Sequence, residues 1–360
     1  MSSRTKIAVV TDAFKGAGYR VVCSMLQSTR HPLTIYMTRR SGSSGEISNF
    51  NFGQDKETAK ALESSGSEIK FAELDVESSG SIKALRDQIQ DTHRPSHGAR
   101  PLSILVNAPL QEFADAKEAV SRTYFGSKNL LRLLLPIMDQ AGDSRVVNVS
   151  VGGGGARHWI SKEELADKFS RINLEEKHLD NLMRKYWGDS AAGKLLEEGW
   201  MRLRTRSPNT PDNTPYIIPR VGLAAYTFIL AEQKPKFLIN ASGGDDWNYA
   251  DYAYSGGITP TFLALGDLEG VTGQLWIEGK AVDWETARPL VTKPSHPTEG
   301  SKRRKTGGPR KTSRYTKTGS PTKSSKPTES SKPTKSSKPT KPSKPTGSSS
   351  IVKEPSDETK

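Results

Sequence analysis

The stretch Lys6-Ile-Ala-Val-Val-Thr-Asp-Ala-Phe-Lys-Gly-Ala-Gly18 decides the fold. Residues 7–10 are a continuous apolar run, a glycine-bearing turn follows at once, and residues 19–27 carry helical spacing. A strand that is apolar on both faces belongs in a sheet covered on both sides, and the helix after it supplies one cover. Outward from this unit the alternation repeats. Residues 33–37 read as a second strand, 54–64 as a helix and 69–74 as a third strand. Residues 81–90 place Ile82, Leu85 and Ile89 on one helical face. Residues 102–106 and 146–149 are further buried-strand runs, separated by a long helical stretch at 113–135. Strand–helix alternation of this kind predicts a doubly wound α/β fold with a mostly parallel sheet.

After Ser150 the pattern changes. Residues 152–155 are four glycines, and a charged, largely helical insertion occupies about residues 156–215. Residues 221–231 read as an apolar helix, 237–240 as a strand and 275–277 as a last short strand, while 39–52 read as an exposed excursion. The charge is unevenly divided. The chain of 360 residues has a net charge of +13, and residues 293–360 hold 18 Lys or Arg against 5 Asp or Glu. Residues 1–292 therefore carry equal numbers of each sign, which argues against a basic nucleic-acid-binding core. The tail has only Tyr315, Ile351 and Val352 as apolar side chains and repeats SSKPTE, SSKPTK, SSKPTK from Ser324. Such a segment cannot offset its ordering entropy, so the expected organisation is a single domain over 1–292 and a disordered basic tail over 293–360.

Cys23 has no intrachain partner and reads as a small buried hydrophobe. The six histidines show no metal-ligand spacing, so no metal is expected. No apolar run approaches the ~18–20 residues of a membrane span, and the early apolar run at 7–10 leaves no room for a cleavable leader. A cytoplasmic or nuclear protein is the expectation. Lys302-Arg-Arg-Lys305 with Arg310-Lys311 is a compact basic cluster of the kind importins read. The tail's partner is then an importin or a polyanion bound through phosphates alone, and the plainer reading is a solubilising extension.

Thr11-Asp-Ala-Phe-Lys-Gly16-Ala-Gly18 resembles the TGxxxGxG fingerprint of the short-chain dehydrogenase/reductase family, in particular its monomeric carbonyl-reductase branch. Leu74-Asp75-Val76 resembles the family's adenine-contacting segment, Ile104-Leu-Val-Asn107-Ala108 its fourth strand, and Arg145-Val-Val-Asn-Val-Ser150 the strand leading to its catalytic serine. The segment through Lys194-Leu-Leu-Glu-Glu-Gly-Trp200 resembles the extra helices that keep carbonyl reductases monomeric. The resemblance covers about residues 5–288. It implies a Rossmann-type domain, a monomeric core and an NADPH-dependent oxidoreductase acting on a small carbonyl substrate. The cofactor-binding positions it implies are Thr11, Lys15, Gly16, Gly18, Arg39, Asp75, Val76 and Asn107. Lys15, Arg39 and Arg40 are cations, which suit a 2′-phosphate and so NADP(H) over NAD(H).

Family chemistry uses a tyrosine as proton donor, a lysine four residues on, a serine that orients the carbonyl and an asparagine that supports the lysine. Carried onto this chain, the tyrosine is Tyr216 and the lysine position is Arg220. The serine position is Val151, with Ser150 one residue away, and the asparagine position is Tyr124. Asp12 and Pro109 stand where the family has glycine; Asp12 would cap the first helix or press a carboxylate on the pyrophosphate. Pro219 favours a helix that begins near itself, leaving Tyr216 on the preceding loop. With one of four catalytic residues unchanged, turnover is expected to be weak or absent. The alternative is a non-catalytic nucleotide-sensing or partner-binding scaffold with the tail as a nuclear or polyanion tether.

Overall fold

In a computed structural model of the chain, the described residues are 5–40, 56–93, 100–109, 113–140, 143–150, 155–200, 214–243, 257–286, 288 and 290. All of them fall in one compact unit, Met1–Ser295. The predicted excursion at 39–52 and the tail from 293 lie almost wholly outside them, as do Val151 and Gly152 to Gly154.

The strands are β1 (Lys6–Val10), β2 (Leu33–Arg39), β3 (Glu68–Glu73), β4 (Leu102–Asn107), β5 (Arg145–Val149), β6 (Leu238–Ser242), β7 (Leu275–Ile277) and β8 (Lys280–Val282). They form one eight-stranded sheet in the order β3-β2-β1-β4-β5-β6-β7-β8. Every pairing is parallel except the β7–β8 hairpin at the edge. The chain reverses direction across the sheet between β1 and β4, the crevice where a doubly wound fold binds ligands. The predicted fold class is the observed one. The final hairpin strand β8, Lys-Ala-Val, was not read from the sequence, which ended the sheet at 275–277.

Two apolar layers sandwich the sheet. On one face lie α1 (Gly16–Ser28), α2 (Lys56–Ser65) and α10 (Ile258–Leu265), packed over Ala8, Val10, Ile35 and Met37. Cys23 belongs to this layer, buried as expected. The other face carries α3 (Ser79–Thr92) and a broken helix made of α4 (Ala116–Ala119), a π-helical stretch Val120–Gly126 and α5 (Ser127–Leu134). It also carries α8 (Glu176–Ala191) and α9 (Thr214–Gln233), preceded by the short α6 (Ala156–Trp159) and α7 (Glu163–Ala166).

Two expectations need correction. The helix does not begin near Pro219: α9 runs from Thr214 with Pro219 inside it, so Tyr216 is helical in its backbone. Pro215 falls in the first turn, where backbone donors have no partner in any case, and the single bond lost at Pro219 costs about 3 kcal/mol. Burial of Ile218, Val221, Leu223 and Phe228 along the same helix outweighs that cost. Asp12 is not the cap of α1 either. The residue preceding that helix is Lys15, whose side chain makes no capping hydrogen bond.

Candidate functional site

The turn after β1 keeps the backbone shape of a dinucleotide-binding loop although its first glycine is gone. Asp12 has φ +47, the left-handed region a glycine would enter freely, and Gly16 has φ +61 with open space where a Cβ would stand. Gly18 is sterically obligatory, since a Cβ there would meet Thr11 O at 2.6 Å and Asp12 O at 2.8 Å. The helix can therefore pack directly beneath the turn, with its N-terminus aimed over the crevice.

Thr11 anchors this turn to β4. Its hydroxyl accepts from the Ala108 backbone N–H at 2.8 Å and donates to Asn107 Oδ1 at 3.4 Å. The Asn107 amide donates to Ser127 Oγ and to Asn148 Oδ1, the Asn148 amide donates to Thr227 Oγ1, and the Thr227 hydroxyl donates to Leu223 O. One buried polar chain thus ties β1, β4, β5, α5 and α9 together under the crevice. Buried polar groups that are mutually satisfied in this way fix one arrangement of the elements that carry them. The sequence reading found Thr11 and Asn107 but missed Ser127, Asn148 and Thr227. Asn148 had left one legible signal, an amide inside an otherwise apolar strand.

A shallow cleft at the strand ends brings together Thr11, Asp12, Arg40, Asp75, Val76 and Arg122. Asp75 is held by its own turn, where its backbone N–H donates to Ser81 Oγ and its carboxylate accepts from the Glu77 N–H. Arg40 reaches Asp75 at 3.4 Å. Arg39 closes β2 with its guanidinium 5.1 Å above the Phe14 ring, and its Nε is buried without a hydrogen-bond partner. Lys15 and Gly16 are exposed at the entry of α1.

At the other end of the crevice stand the expected catalytic positions. Ser150 is buried, and its hydroxyl donates to Ser242 O at 3.3 Å on the neighbouring strand. Arg220 is 6% exposed, and its Nη2 donates to Pro109 O at 2.8 Å while its Nε has no partner. Among the described residues no carboxylate pairs with it. The two replaced positions, Pro109 and Arg220, have thus become partners of one another.

Tyr124 lies in the π-helical stretch, is wholly buried and donates from its hydroxyl to Asp180 Oδ1 at 2.8 Å. Lys128 bonds the same oxygen and reaches Glu176 at 2.8 Å. Burial, and then the negative charge of Asp180, push the Tyr124 phenol far above its ordinary range, so it stays protonated. The ring occupies space opened by Gly222, where a Cβ would stand 2.6 Å from Met183 Sδ and 3.3 Å from the Tyr124 ring. Asp180 and Lys128 were invisible to sequence reading, because they come from different helices and share no spacing. Among the described residues no cluster of three or more His, Cys, Asp or Glu could hold a metal, and no helix is long and apolar enough to cross a membrane.

No protein-family model matches the chain. It is similar to carbonyl reductase (NADPH) 1 of Sus scrofa, 29% identical over 309 residues that cover 79% of this chain and 96% of that protein. It is also similar to carbonyl reductase (NADPH) 3 of Rattus norvegicus, 28% identical over 288 residues covering 74% and 92%. Menthone neomenthol reductase from Mentha piperita shares the fold at a TM-score of 0.59 and 22% identity, over 76% of this chain and 99% of that one. Salutaridine reductase from Papaver somniferum does so at 0.57 and 21%, over 75% and 99%. The sheet order, the crevice at its reversal and the glycine-bearing turn define a Rossmann-type domain. Over most of its length, and with the ordered motifs, the chain is thus similar to the carbonyl reductases and resembles the short-chain dehydrogenase/reductase family.

Proposed function

We propose that the chain is a carbonyl-reductase-type oxidoreductase that binds NADP(H) and reduces a small carbonyl compound weakly or not at all. The observation that carries this reading is the hydrogen bond from Arg220 to Pro109 O, which commits the lysine-position cation to the chain itself. Arginine's planar fork is not a conservative stand-in for a lysine ammonium, so the group meant to lower a tyrosine pKa and hold a ribose is diverted.

The adenosine end of the crevice fits the cofactor. Gly16 leaves open space over the start of α1, and Arg39 offers a buried Nε with no partner of its own. Thr11, Lys15, Gly16, Gly18, Arg39, Asp75, Val76 and Asn107 would hold or shape that half. When bound, NADPH supplies the hydride. Tyr216, one helical turn before Arg220, would give the proton to the carbonyl oxygen, and Ser150 would orient that oxygen once freed from Ser242 O. Tyr124 cannot take the asparagine's part, because its hydroxyl is bound to Asp180.

A second reading, a non-catalytic nucleotide-sensing or partner-binding scaffold, is favoured by Asp12, whose carboxylate belongs to the cleft where phosphates would lie. In either reading the core is monomeric and the protein cytoplasmic or nuclear. The basic segment 293–360 would engage an importin or a polyanion, and its removal should then abolish that binding.

The test is a titration of the full chain with NADPH, read as energy transfer from tryptophan, followed by assays with carbonyl compounds. Micromolar binding with turnover well below the common ~1–10³ s⁻¹ is expected, and Tyr216→Phe should remove what turnover there is. Turnover inside that range would overturn the catalytic part of the proposal. Absence of binding at millimolar NADPH would overturn the cofactor part.

A further inference from the structure

A sizeable cleft lies away from the crevice. It has a volume of about 610 Å³ and opens between α5, α9 and the start of α8. Pro136 and Gln140, which precede β5, and Lys234 and Phe237, which precede β6, all line it. The cleft therefore extends to the edge of the sheet where the parallel strands begin, the edge opposite the cofactor crevice. Its size falls in the range of small-molecule sites, roughly 300–1,000 Å³.

Its lining has two characters. Phe125, Tyr226, Leu230 and Phe237 give it an apolar wall, and Arg100, Arg132 and Lys234 stand around it as cations. Glu176 also lines it and shares Lys128 with Asp180, but the lining holds four cations against this one carboxylate, so the cleft keeps a positive surplus. Tyr226 adds a hydrogen-bond donor to the wall. The residue is 5% exposed, it lines the cleft, and among the described residues nothing hydrogen-bonds its hydroxyl. Burial first, then the carboxylates of Glu176 and Asp180, raise the Tyr226 phenol above its ordinary range, so it remains a donor at any physiological pH.

We infer that this cleft binds an amphipathic organic anion, a carboxylate carrying an alkyl or aromatic body. Arg132 and Lys234 face the head group, the Tyr226 hydroxyl donates to it, and the body lies along Phe125, Leu230 and Phe237. A cationic ligand is repelled by the lining, and so is the chain's own basic tail with its surplus of Lys and Arg. The site is independent of the cofactor crevice and does not depend on any catalytic activity.

The test is calorimetric titration of the full chain with dodecanoate at physiological salt, with dodecanol as the uncharged comparison. One site of micromolar affinity for dodecanoate and at least about tenfold weaker binding of dodecanol are expected, a difference of ~1.4 kcal/mol. Arg132→Glu combined with Lys234→Glu should abolish dodecanoate binding. Both residues are exposed, so the fold should persist, which circular dichroism checks. Tyr226→Phe should weaken binding about three- to tenfold, the usual worth of one hydrogen bond. Equal binding of dodecanol, or unchanged dodecanoate binding in the double variant, overturns the inference. So does sedimentation showing a dimer that the double variant dissociates, since a second copy then covers the face.

Discussion

The two ends of the crevice have met substitution in opposite ways. At the turn after β1, Asp12 stands where the resemblance expects a glycine, yet it has a positive φ of 47 and the turn still lets Gly18 press against Thr11 O. At the end expected to be catalytic, Arg220 and Tyr124 are each bonded to a partner within the chain, Pro109 O and Asp180. Backbone shape survives a single replacement because neighbouring packing enforces it. Side-chain chemistry does not survive, because a new functional group takes whichever partner is nearest and lowest in energy.

Tyr124→Asn is the harshest way to break this comparison. It restores the residue type expected at that position but empties the space facing Gly222 and Met183 and leaves Asp180 with Lys128 alone. A loss of about 3 kcal/mol in denaturant unfolding is expected, with no gain of turnover. Recovered activity would mean that the catalytic end is blocked by this one side chain only. Gly18→Ala comes next: backbone oxygens at 2.6 and 2.8 Å cannot retreat as a flexible side chain would, so about 2 kcal/mol should be lost together with NADPH binding. An unperturbed Gly18→Ala protein would show that the turn is looser than its geometry implies.

Asp12→Gly sharpens the contrast from the other side. Removing the carboxylate should tighten NADPH about tenfold, the effect of ~1.4 kcal/mol of relieved repulsion, with stability changed by less than about 1 kcal/mol. Unchanged affinity would place the Asp12 charge away from the phosphates. The smallest effect is expected at Asp143, which lies before β5, remote from both ends. Burial raises its carboxyl pKa, but hydrogen bonds from Lys6 and Arg145 outweigh that and hold it below the ordinary carboxylate value. A lowered folded-state pKa contributes stability above the unfolded value of ~3.9 and loses it as pH falls through the folded one. Because the group is more than half exposed, Asp143→Asn should remove only about 0.5 kcal/mol at neutral pH, and the difference should vanish in acid.

Much of this architecture is legible in the order of residues alone. Strand-length runs at the first five strands, the glycine-bearing turn after β1 and the ordered motifs place the fold class and carry the family resemblance, because those signals are local in the chain. Tyr216 reads as a loop residue because Pro219 is a strong local signal, and the burial that overrides it comes from α9 packing on β5, β6 and α8. The cleft lined by Tyr226 leaves no such trace. Phe125, Arg132, Leu230 and Lys234 sit on or beside two helices whose sequences say nothing of their separation.

By itself, then, the sequence determined the alternation of elements, the position of the glycine-bearing turn and the concentration of charge in residues 293–360. Periodicity, steric freedom at φ > 0 and net charge are properties of neighbouring residues. Which side chain answers which was decided only by the tertiary structure. Arg220 with Pro109, Tyr124 with Asp180 and the chain from Thr11 to Thr227 each join residues remote in sequence. Close packing around a parallel sheet brings such groups within hydrogen-bond reach, and burial then obliges each polar atom to take a partner.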